Sequence, residues 1–167
     1  SGFASRSFAT QKINYNDGWE FYKSKHDLRR SQMDDENWEK VVLPHTPRLE
    51  PKVVNNQWQG ISWYEKQINF LPEWQDKKVF IEFEAAMRTA DVWINGRHIF
   101  HHIGGYLPFT IDLSGELHFD KPNTIRVKLN NYDNPISGPK PLDQLDFNTY
   151  GGLYRNVNLI IKPHLHI

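Results

Sequence analysis

Residues 123–130 read NTIRVKLN, and their alternation narrows what this chain can fold into more than any other feature. Ile125, Val127 and Leu129 fall at every second position, with Arg126, Lys128 and Asn130 between them. Side chains two apart share a face only in extended backbone, so the segment predicts a strand with one buried and one wet face. The same period recurs where Val79, Ile81, Phe83 and Ala85 alternate with Phe80, Glu82 and Glu84. Phe109, Ile111 and Leu113 repeat it against Thr110 and Asp112, and Val157, Leu159 and Ile161 carry it near the end. Tyr64 to Phe70 reads as a further strand with Tyr64, Ile68 and Phe70 on one face.

Turn signals separate these runs. Ala90–Ile94 and His98–Ile103 flank Asn95-Gly96, a dipeptide that accepts the positive φ angles of a type I′ turn and predicts a hairpin. Ile13–Tyr15 and Trp19–Tyr22 flank Asn16-Asp17-Gly18, another tight-turn signal. Lys23 to Lys40 is charged and irregular, with room for one short helical turn, and VVLPHTP (41–47) holds too many prolines for a central strand. Asn130 to Tyr150 has no strand period, and loops of that length in compact domains are usually functional or mobile. Together the pattern predicts an all-β fold, a jelly-roll β-sandwich of about eight strands with no long helix and no internal repeat.

A chain of 167 residues is sized for one such domain. Twenty basic side chains balance twenty acidic ones, so there is no broad field to draw nucleic acid or an anionic membrane surface. No apolar run approaches the roughly 18 residues of a spanning helix, and cysteine is absent. Six Trp, seven Tyr and ten Phe suit a thin sandwich core with aromatic loops, and equally suit sugar recognition.

Chemistry is harder to find. Glu82 and Glu84 share a strand face roughly 7 Å apart, inside the window of about 5–9.5 Å that paired glycosidase carboxylates need. They are also the polar half of an alternating strand, and a solvated face explains them. His98, His101 and His102 invite a metal. On a regular strand, however, His101 and His102 face opposite ways, and His98 and His102 stand about 13 Å apart. One ion held at about 2 Å from each ligand cannot bridge that gap. His164 and His166 supply two ligands only, so no metal site is expected. There is no nucleophile elbow, no phosphate loop and no dinucleotide fingerprint. GGYLPF (104–109) leads into a strand instead of a helix N-terminus. No catalytic residue and no cofactor are expected in the chain itself.

Five segments in order carry a resemblance: INYNDGWEF (13–21), WEKVVLPHT (38–46), ISWYEKQINF (61–70), ADVWINGRHIFHHIGGYLPFTIDL (90–113) and DFNTYGGLYRNVNL (146–159). The series resembles the N-terminal sugar-binding jelly-roll domain of family 2 glycoside hydrolases, the β-galactosidase and β-glucuronidase family. That resemblance covers nearly the whole chain from Ile13. It implies that the two catalytic glutamates lie in a later TIM-barrel domain, one of them in an Asn-Glu dipeptide, which this chain lacks. Glu65 stands where many relatives carry arginine after the Trp-Tyr pair.

The implied layout is an N-terminal arm (1–12), the sugar-binding domain (13–162) and the start of a following domain (163–167). The implied partners are a carbohydrate substrate and the immunoglobulin-like and TIM-barrel domains of the same polypeptide, with homo-oligomerisation of the full-length enzyme allowed. SGFASRSFATQK reads as a trimmed N-terminus, and a periplasmic or secreted setting is favoured over a cytoplasmic one. The Tyr-Gly-Gly step with Asp146 upstream favours an exo-acting β-galactosidase. A β-glucuronidase and a free-standing carbohydrate-binding module are the alternatives.

The resemblance also points to site residues. Asp146 matches the aspartate that reaches into the barrel's pocket, where an ionised carboxylate can accept hydrogen bonds from two sugar hydroxyls. Capping of its own turn is the other role open to it. Phe147 stands beside it as a candidate for the pocket wall. In the family a loop before the Tyr64 strand also reaches the active site. Here that loop offers Asn55 and Asn56 for hydroxyls and Trp58 for stacking, with surface packing the alternative. Gly151 and Gly152 let the chain turn sharply into its final strand. Tyr154 by burial, and Arg155 by forked hydrogen bonds, are expected to fix that turn.

Overall fold

The computed structural model describes residues 9–45, 60–84, 89–103, 108–130 and 155–164. Ten strands lie in these residues, where about eight were expected; a short edge pairing at Glu39–Val41 carries no alternation that would announce it. β1 is Gln11–Asn14, β2 Trp19–Ser24, β3 Glu39–Val41, β4 Ile61–Ile68 and β5 Lys77–Phe83. β6 is Thr89–Ile94, β7 Arg97–Ile103, β8 Phe109–Asp112, β9 Asn123–Asn130 and β10 Val157–Pro163. A four-stranded sheet has the order β1-β10-β5-β8, and a six-stranded sheet the order β3-β2-β4-β9-β6-β7. Every pairing is antiparallel. The chain is a jelly-roll β-sandwich.

Period-two alternation builds the core. β9 buries Ile125, Val127 and Leu129, β5 buries Val79, Ile81 and Phe83, and β10 buries Val157, Leu159 and Ile161. These meet Trp19, Tyr64, Val92 and Leu113 between the sheets, and all four are fully excluded from water. Burying one such side chain stabilises the fold by roughly 1.5–3 kcal/mol relative to leaving it exposed. The predicted hairpin forms as β6 and β7, with Asn95 at φ 51° and Gly96 at φ 82°, both in the left-handed region a type I′ turn requires.

Two expectations change. The Asn16-Asp17-Gly18 turn does not close a hairpin: β1 belongs to the smaller sheet and β2 to the larger, so the turn is a crossover between layers. The charged Lys23–Lys40 stretch holds two short 3₁₀ turns, Arg30–Gln32 and Asp35–Asn37. It also supplies Leu28, Met33 and Trp38 to a second apolar cluster on the outer face of the larger sheet, against Tyr22, Ile61, Trp63 and Trp93. Glu65 lies on this same face. Its Oε2 accepts from Arg30 Nε and Arg126 Nε, each at 3.1 Å, so the carboxylate ties the covering segment to β4 and β9.

One end of the sandwich is closed by a single amide. Asn123, with no exposed surface, donates to the carbonyls of Ile68 at 3.2 Å and His118 at 3.0 Å. Its Oδ1 accepts from the His118 amide at 2.7 Å and from Asn95 Nδ2 at 2.8 Å. Asn95 in turn donates to the Glu116 carbonyl and accepts from the Thr124 amide. Replacing Asn123 with alanine strands several buried donors and acceptors at once, each costing about 1–3 kcal/mol. Asn123→Ala is therefore expected to lower unfolding free energy by about 2–4 kcal/mol in urea titrations with unchanged slope. A loss below about 0.5 kcal/mol, the usual size of a surface substitution, would show that the clasp carries no weight.

Candidate functional site

The end opposite Asn123 is where the connections leave. Asn130 is opposite both Ile61 and Thr89, and Thr89 is opposite Ile103, so four strand ends of the larger sheet are neighbours. Phe83 is opposite both Val157 and Phe109 in the smaller sheet. Two five-residue connections, 84–88 and 104–108, join these groups of strand ends. A link that short brings them to one end of the sandwich. The segments 46–59 and 131–154 have flanks at the same end, at Ile61, Asn130 and Val157.

Anchors at the roots of these segments are well defined. Asn16 Nδ2 donates to Asn156 Oδ1 at 2.9 Å, and Asn16 Oδ1 accepts from the Val157 amide at 2.9 Å. Tyr15 donates its amide to the Val157 carbonyl, Glu84 donates to the Asn156 carbonyl, and Leu43 donates to the Asn16 carbonyl. The start of β10 is thus clamped by Asn156 and Asn16. Arg155, expected to hold this turn through its guanidinium, is exposed and finds no acceptor among the described residues. Asparagine side chains commonly make such loop anchors, and the Asn16/Asn156 pair, 140 residues apart, leaves no periodic trace in a sequence.

His45 roots the other segment. Its Nδ1 lies 2.7 Å from the Tyr64 hydroxyl, and its ring packs against Phe21 at 4.5 Å between centroids. Burial holds the His45 imidazole below its ordinary pKa, with the Glu39 carboxylate pulling the other way.

The remaining candidates sort cleanly. Glu82 and Glu84 both accept from Asn158 Nδ2, at 3.2 and 3.4 Å, and Glu82 also meets Lys12 Nζ at 3.3 Å. They form a polar strand face that joins β5, β10 and β1. His102 is half-buried: it stacks on Phe109 at 5.1 Å, and its Nε2 is buried without a hydrogen-bond partner among the described residues. Asn55, Asn56, Trp58, Asp146 and Phe147 lie outside the described residues, as do Gly151, Gly152 and Tyr154.

Residues 24–163 match the profile of the glycosyl hydrolases family 2 sugar-binding domain. The chain belongs to glycoside hydrolase family 2. Among relatives of the family 2 domain, a β-glucuronidase from Formosa agariphila is 36% identical over 92% of this chain and 17% of its own length. A β-galactosidase from Thermoanaerobacter pseudethanolicus is 30% identical over 93% of this chain and 21% of its own. The crystal structure of Bacteroides uniformis β-glucuronidase superposes with a TM-score of 0.77 at 30% identity, covering 93% of this chain and 18% of that one. The family 2 domain thus spans about a fifth of the length of these relatives.

His45 makes the root of segment 46–59 sensitive to acid. Its neutral form is favoured when folded, so the unfolded chain takes up the proton first as pH falls below 6.5. The stability it contributes is present above that pH and is lost as pH falls toward the lowered folded value. The melting temperature of the family 2 domain is expected to drop below about pH 6.5, and His45→Gln to flatten that part of the profile. An identical slope in the variant would assign the acid sensitivity to other groups.

Proposed function

We propose that this chain is the non-catalytic N-terminal domain of a longer, exo-acting β-glycosidase, whose loops complete the substrate pocket of a (β/α)₈ barrel in the same polypeptide. The supporting observation is the family match over residues 24–163, combined with relatives about five times longer that are named as glycosidases. The fold supplies a rationale. Strand ends that flank four connections lie at one end of the sandwich, and loops held by a rigid scaffold are where binding residues concentrate. The carboxylate pair Glu82/Glu84 is occupied by Asn158 and Lys12, consistent with chemistry carried out elsewhere in the enzyme.

In this reading Asp146 accepts hydrogen bonds from adjacent hydroxyls of the terminal sugar, with Phe147 beside it on the pocket wall. Asn55 and Asn56 add hydrogen bonds, and Trp58 offers a stacking face. The Tyr-Gly-Gly step with Asp146 upstream favours a terminal β-galactoside. A terminal β-glucuronide is the second reading. It is supported by the identities of 36% and 33% to two relatives named β-glucuronidase, against 30% and 32% to two named β-galactosidase.

Kinetics of the full-length enzyme test this reading. Asp146→Ala should lower kcat/KM by roughly tenfold or more, about 1.4 kcal/mol of transition-state binding, with an unchanged melting temperature. Replacing both Asn55 and Asn56 with alanine should raise KM. Nitrophenyl galactoside and glucuronide, assayed side by side, decide between the two sugars. The 167-residue chain alone should release nitrophenol from neither. Wild-type kinetics in the Asp146 variant would remove that residue from the pocket, and turnover by the isolated chain would overturn the division of labour.

A further inference from the structure

The β6–β7 hairpin carries a constellation that regular strand geometry forbids. Val92 is opposite Phe100, and Trp93 is opposite His98, leaving Ile99 as an extra residue in β7. This β-bulge turns two consecutive side chains, Ile99 and Phe100, toward the core. It therefore reverses the parity of everything beyond it. His98 and His101, three residues apart, come to the same outer face, and Asp91 on β6 stands between them. His98 Nε2 lies 2.8 Å from Asp91 Oδ1, and His101 Nδ1 lies 2.6 Å from the same oxygen.

We propose that Asp91, His98 and His101 form a binding site for a divalent transition-metal ion of borderline softness, zinc foremost. The three candidate ligand atoms lie within 4.8 Å of one another. Bonds of about 2.1 Å in a tetrahedral arrangement need ligand atoms roughly 3.4 Å apart. Two half-exposed imidazoles, turning over a largely buried carboxylate, reach that spacing by small rotations. Two imidazoles and one carboxylate select zinc, copper or nickel over calcium and magnesium, which prefer all-oxygen sets.

The surroundings favour the site. Lys128, opposite Asp91 in the β9 register, would oppose a cation, but its ammonium is drawn to Asp27 Oδ2 at 2.6 Å and lies over the Trp63 ring. Trp93 packs edge-on against His98 at 5.2 Å, which orients that imidazole. Three protein ligands on an exposed face leave a coordination position open to water or to a further donor. The ion would also staple the two strands of the hairpin at the edge of the larger sheet.

Calorimetric titration of the metal-stripped chain with zinc chloride tests the site, with visible absorption of a cobalt(II) substitute reporting nitrogen and oxygen coordination. One ion per chain is expected, with a rise in melting temperature. Asp91→Asn and His101→Ala should each weaken binding by at least about tenfold and abolish the thermal shift, while His118→Ala, remote from the site, should bind as the native chain does. Should His101→Ala melt early, the isosteric Asp91→Asn decides alone. Absence of zinc binding, or binding undiminished in Asp91→Asn, would overturn the proposal.

Discussion

Asn123 is the interaction on which the arrangement of this domain depends. A buried primary amide must satisfy both donors and its acceptor, and Asn123 does so by joining the end of β4, the 113–122 connection and the Asn95 turn. With that end committed to closing the sandwich, the opposite end is where Ile61, Thr89, Ile103 and Asn130 converge. The two ends have different physical jobs. One is a polar clasp that specifies which turns meet, and the other gathers strand ends of the larger sheet.

Much of the sandwich was legible in the sequence because burial on one face writes a two-residue period. β5, β8, β9 and β10 follow from alternation, and the β6–β7 hairpin follows from Asn95-Gly96, whose positive φ angles few other residue pairs tolerate. What alternation does not encode is the layer a strand joins. Asn16-Asp17-Gly18 has the composition of a hairpin turn yet crosses between sheets, because the partners of β1 and β2 lie far away along the chain, at Leu159 and Tyr64. The outer cluster of the larger sheet was likewise hidden, since Leu28, Met33 and Trp38 are scattered among charges with no period.

The histidines show most clearly how one irregularity changes the chemistry. Regular spacing places His98 and His101 on opposite faces, and the Ile99 bulge brings them together over Asp91. The trace of that bulge is present in RHIFHH, where two apolar residues sit between polar pairs and break the alternation. The same shift sends His102 inward to stack on Phe109. Of the sugar-site candidates, the sequence supplies identities through a family resemblance, and the fold supplies roots for their loops at His45, Asn16 and Asn156.

In the proposed function, one end of the sandwich clasps and the other meets substrate. Hydrogen–deuterium exchange of the full-length enzyme, with and without a covalent glycosidase inhibitor, tests it most directly. The account predicts that added protection in this domain falls on peptides spanning 46–59 and 131–154, and that the Asn95-Gly96 turn and the 113–123 segment exchange as before. Protection at the Asn123 end, or none anywhere in the domain, would contradict it.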